Sequence, residues 1–97
     1  MKQVTPYGRF VRIQRMEKGH LLIDQAMYMD RTPSLLSSVE LGRKAVPDDW
    51  YPIVADFLTL DDNERERLKE SITKTNSQFR NRPRHDERPM AIAASPK

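Results

Sequence analysis

The chain has 97 residues, 37% hydrophobic and 32% charged, with a formal net charge of +3, three glycines and no cysteine. One domain of this size holds a core but little space for a deep substrate cavity, which argues against most multi-step enzymes, and the lack of cysteine excludes a disulfide framework and a thiolate metal site. No run of about 18 apolar residues exists to cross a membrane and MKQVTPYGRF lacks the layout of a signal peptide, so the expectation is a cytoplasmic protein without a membrane partner.

Apolar residues recur every three or four positions with no alternating runs, a helical period. Thr5-Pro6 is a cap followed by proline at the first helical position and Gly19 stands behind Lys18, so the first helix is expected from Pro6 to Lys18. A second helix, about Leu21 to Met29, sets Leu22, Ala26 and Met29 on one face. Thr32-Pro33-Ser34 opens a third, which carries Leu35, Leu36 and Val39 and stops at Gly42. Pro47-Asp48-Asp49 starts a fourth with an anionic first turn suited to the helix dipole, and Trp50, Ile53, Val54, Phe57 and Leu58 are its core-like residues. Asp61-Asp62-Asn63-Glu64 resembles a capping box for a fifth, to about Thr75, with Leu68 and Ile72 as its main apolar contacts. Five short helices, with a tight turn between the second and third, predict an all-α helix-turn-helix bundle over residues 1–75.

From Asn76 onward the chain is rich in arginine and proline and poor in apolar residues, so 76–97 is read as a disordered basic tail. On that reading, truncation after Thr75 leaves the thermal melt unchanged. Charge is divided along the chain: residues 1–46 sum to +4, residues 47–75 to −4 and the tail to +3. The +3 of the whole chain therefore conceals a dipolar folded part.

The stretch Tyr7-Gly8-Arg9-Phe10-Val11-Arg12-Ile13-Gln14-Arg15-Met16-Glu17-Lys18-Gly19 resembles the first helix of phage Cro/CI-type, lambda-repressor-like helix-turn-helix domains, and Glu40-Leu41-Gly42-Arg43-Lys44 resembles the ending of their recognition helix. Ala26 falls where that family keeps a small residue, and Leu36 and Val39 fall at its buried positions; the likeness covers about residues 6–60. It implies a five-helix fold and a DNA-binding transcriptional regulator of a phage or plasmid kind, binding a palindromic operator in double-stranded DNA as a homodimer. By the same resemblance Arg15 pairs with Glu40 as a structural ion pair, and Pro33, Ser34, Ser37 and Ser38 enter the major groove to read bases. Arg9, Arg12, Arg31, Arg43 and Lys44 are the expected phosphate contacts.

The sequence departs from the pattern at several places. The family offers long polar side chains at the start of the second helix and along the outer face of the third, where this chain has Leu22 and serines. Serine specifies weakly, so recognition would lean on DNA shape and flanking arginines. Gln14 and Gln25 stand at positions that are normally apolar.

The acidic half is the expected dimer surface, through Trp50, Tyr51, Leu60, Leu68 and Ile72, and Arg80, Arg82, Arg84 and Arg88 would form a basic arm on DNA. Ile13, Met16, Leu21, Ile23, Met27 and Tyr28 exceed what one buried face requires; either they complete the core or some form an exposed patch for another chain. The rival function is therefore a protein-interaction module on the same scaffold, gripping a polymerase, another regulator or a toxin. His20 and His85 are too few and too far apart for a metal site, the carboxylates at Asp48, Asp49, Asp61, Asp62 and Glu64 suit helix starts, and no activated nucleophile or Gly-rich phosphate loop occurs. No enzyme activity and no cofactor are expected.

Overall fold

In the computed structural model, which describes residues 4–80 with side chains as far as Gln78, five helices follow one another, and no strand occurs among the described residues. The first, α1, runs Pro6–Lys18. Its opening turn is satisfied group by group. Pro6 has no N–H to place. The Tyr7 N–H donates to Thr75 Oγ1 at 2.9 Å, the Gly8 N–H to Thr5 Oγ1 at 3.0 Å and the Arg9 N–H to the Thr5 carbonyl at 2.8 Å. At the other end Gly19 takes φ 76°, a left-handed conformation in which a side chain would be strained.

The helices α2 (Leu22–Met29) and α3 (Pro33–Glu40) are joined by Asp30, Arg31 and Thr32. Asp30 adopts φ 57°, which a short polar residue tolerates, and the Arg31 N–H returns to the Ala26 carbonyl at 2.9 Å, so the chain turns within three residues. Thr32 Oγ1 then caps α3 by accepting from the Leu35 N–H at 3.1 Å. Gly8 lets α1 lie against the end of α3, since a Cβ at this position would run into the Glu40 carbonyl and the Val4 side chain. Through that close approach the Thr5 N–H and hydroxyl both donate to the Glu40 carbonyl, at 3.0 and 2.9 Å.

After α4 (Trp50–Phe57), the expected capping box opens α5 (Asp62–Arg80): the Asp61 N–H donates to Glu64 Oε1 at 3.0 Å and the Glu64 N–H to Asp61 Oδ1 at 2.8 Å. Lys18 joins the two at their junction, donating to the Leu58 carbonyl at 2.8 Å and lying 3.5 Å from the Glu64 carboxylate. The core is formed by Tyr7 and Val11 of α1, Ala26 and Met29 of α2, Leu36 and Val39 of α3, Val46, Trp50, Val54, Ala55, Leu58 and Leu60 around α4, and Leu68 of α5.

Two expectations are corrected here. The last helix does not stop at Thr75 but continues to Arg80. The cause is tertiary: Asn76 Oδ1 accepts from the Val46 N–H at 2.9 Å and its Nδ2 donates to the Val46 carbonyl at 3.1 Å, pinning α5 to the segment between α3 and α4. Truncation after Thr75 removes this clamp and leaves two backbone groups of a buried residue unpaired. It is expected to destabilise the protein by about 1–3 kcal/mol, whereas truncation after Arg80 keeps the clamp and serves as the control in the same thermal melts. Arg82, Arg84 and Arg88 of the proposed arm lie outside the described residues.

The second correction concerns the dimer surface. Trp50, Leu60 and Leu68 are buried within the single chain, and Tyr51 and Ile72 are half-buried against the same core. Large apolar side chains of this acidic half are held inside and do not form an exposed face.

Candidate nucleic-acid interface

With Leu36, Val39 and Glu40 turned inward, α3 leaves Ser34 exposed, and Pro33, Ser37 and Ser38 are half-buried. Around this helix Arg31 precedes Thr32 and Arg43 and Lys44 follow Gly42, all exposed. The Arg31 guanidinium donates to the Asp30 carbonyl at 2.9 Å, a contact at the surface that a stronger anion can replace. Leu22, at the start of α2, is half-buried and packs on the core.

The basic residues of α1 have different surroundings. The Arg15 and Glu40 side chains meet in the interior: Arg15 Nη1 donates to Glu40 Oε2 at 2.7 Å and Nη2 to Oε1 at 3.2 Å, with the Glu40 side chain 1% exposed. Arg12, expected on phosphate, gives its Nε to the same Oε1 at 3.0 Å while its side chain remains 40% exposed. Lys18 is held by Leu58 and Glu64. Arg9 is exposed, but it lines a shallow groove with Val4, Phe10 and Ile13 of its own segment and Arg67 and Gln78 of α5, with Arg67 stacked 5.7 Å over the Phe10 ring. The structure thus brings Arg31, Arg43 and Lys44 to the two ends of α3 and leaves Arg9 beside α5.

Arg15 Nη1 also donates to Gln25 Oε1 at 2.7 Å, and Gln14 and Gln25 are both buried. Gln25, at a position where a helix normally turns an apolar side chain inward, is a sequence sign of this buried polar network, whereas the Oε1 of the equally buried Gln14 has no hydrogen-bond partner among the described residues. The spacing of Arg12 and Arg15, one turn apart on one helix face, is another sign, since it puts both within reach of any carboxylate that meets one of them. Tyr7 is buried beside this network; its burial, reinforced by the Glu40 carboxylate, pushes the phenol far above its ordinary pKa, so it stays neutral across the physiological range.

No family model matches this sequence, and neither a curated protein nor a solved structure matches it.

Proposed function

We propose that this chain is a DNA-binding transcriptional regulator with a lambda-repressor-like helix-turn-helix, α3 entering the major groove and two copies binding a palindromic operator. The observation that carries the reading is the α2–turn–α3 unit, with an exposed Ser34 and the half-buried Ser37 and Ser38 on the outer side of α3 and exposed cations at both ends of that helix. Helix N-terminal residues reach base edges in this mode, and flanking cations hold the backbone. Here Pro33, Ser34, Ser37 and Ser38 read the groove, and Arg31, Arg43 and Lys44 contact phosphates. Short hydroxyl side chains make the base contribution modest and leave a larger share to DNA shape.

Fluorescence anisotropy against random and selected duplexes, titrated across salt, tests it. Affinity is expected to fall steeply with salt, and Arg43→Ala with Lys44→Ala to weaken every duplex alike and reduce the salt slope by about two. Ser37→Ala or Ser38→Ala should instead change the preference between sites. No binding to any duplex at low salt would overturn the reading and leave the protein-interaction alternative, which is favoured by the exposed Ile13, Met16, Leu21, Ile23, Met27 and Tyr28.

A further inference from the structure

The helix α2 is apolar on its outer side as well as on its inner one, where Leu22, Ala26 and Met29 pack on the core. Inward it turns Gln25, Ala26 and Met29, the first of these engaged by Arg15. Outward it turns Ile23, Asp24, Met27 and Tyr28, preceded by Leu21; Met27 is 73% and Leu21 66% exposed. Ile23 and Met27 lie one turn apart, as do Asp24 and Tyr28, so the four share a face. A helix that is apolar all round is ordinarily covered on all sides. Cover among the described residues is partial: Ile23 is 46% and Tyr28 55% exposed, the Tyr28 ring lying 5.3 Å from that of Phe57.

The charges around this face select its occupant. No lysine or arginine occurs between Leu21 and Asp30, whereas Asp24, whose Oδ2 also accepts from the Leu21 N–H at 2.8 Å, stands among the apolar residues, Asp30 closes the helix beside the exposed Arg31, and Glu17 is exposed just before the connecting turn. A nucleic acid backbone would be repelled by these carboxylates. A second copy docked by two-fold symmetry would set the same acidic face against itself with no cation on either helix to compensate. A helix that carries Lys or Arg beside its apolar anchors satisfies both features at once. Methionine suits such a role, because its flexible thioether adapts to the shape of what it covers.

We propose that the outer face of α2 docks an amphipathic helix of a partner protein, with Leu21, Ile23, Met27 and Tyr28 receiving its apolar side and Asp24 pairing with one of its cations. This surface is distinct from the polar face of α3 and does not depend on the DNA reading.

The test uses the full chain and two synthetic helical peptides of the same apolar period, one of leucine and lysine and one of leucine and glutamate, measured by calorimetry. The lysine peptide is expected to bind at least about tenfold more tightly than the glutamate peptide. Ile23→Ser with Met27→Ser should weaken its binding by about tenfold or more through lost apolar contact. Asp24→Asn should narrow the difference between the peptides. Circular dichroism of these surface variants should show the helical content retained. Equal binding of both peptides, or an affinity unmoved by the Ile23/Met27 variant, would overturn the proposal. So would sedimentation equilibrium showing a dimer of this chain that the same variant dissolves, since a second copy would then be the occupant.

Discussion

Glu40→Ala is expected to lower the unfolding free energy by about 3–5 kcal/mol, the range for removing one partner of a buried ion pair. The carboxylate holds two guanidiniums, and they respond differently to its loss. Arg12 is 40% exposed and turns to water at little cost. Arg15 is buried, and without Glu40 the remaining side-chain partner of its guanidinium is Gln25 at 2.7 Å. The penalty comes from that stranded charge more than from the attraction removed. In a domain of this size the loss corresponds to a fall in Tm on the order of 20 °C. Arg12→Ala should cost less than about 1 kcal/mol, and Arg15→Met combined with Glu40→Leu should recover much of the loss, because no unpaired charge then remains inside. Denaturant unfolding of the three variants checks the order. A Glu40→Ala protein as stable as Arg12→Ala would show that the interior tolerates the lone guanidinium.

Trp50→Ala is expected to cost about 3–5 kcal/mol through the cavity left in the core. Trp50 is 2% exposed within one chain, at the first position of α4, where it helps to seat that helix against the rest of the bundle. The sign that separates core from interface is concentration. Stability lost from a monomer core is the same at any protein concentration, whereas stability lost from a dimer contact shrinks as the protein is diluted below its dissociation constant. Thermal melts over about a hundredfold concentration range should therefore show a constant deficit.

Three helix starts were written in local chemistry and could be read from it, whereas α4, expected to open at Pro47-Asp48-Asp49 with an anionic first turn, begins at Trp50 with no acidic residue in that turn. Thr5-Pro6, Thr32-Pro33 and Asp61 with Glu64 each place a cap and its partner within four residues, and each has the predicted role in the structure. The end of α5 was not legible, because Asn76 is held by Val46, 30 positions away, and no periodicity in the segment announces such a clamp. The core-like reading of Trp50, Val54 and Leu58 holds, but the placing of Trp50, Leu60 and Leu68 on a dimer face failed for a related reason. Trp50, Leu60 and Leu68 were as apolar as a dimer face requires, and nothing in their spacing tells whether a second chain or the same one covers them. In α2 both sides are apolar, and the inner one is chosen by Gln25 meeting Arg15, a contact between helices. At the candidate interface, the Arg15–Glu40 pairing was accessible through family resemblance and Arg12 was misplaced, since helical spacing alone does not say whether a cation meets a phosphate or a carboxylate of its own chain.

The hydroxyl of Thr75 that accepts from the Tyr7 amide has a temporal side. During synthesis the chain makes Tyr7 early, and the acceptor for its amide emerges 68 residues later. Until then α1 has a start secured by Thr5 alone, with one donor of its first turn left to water. The opening turn of α1 is thus completed only when α5 docks along it. Closing so long a loop is an entropic cost that this contact has to offset.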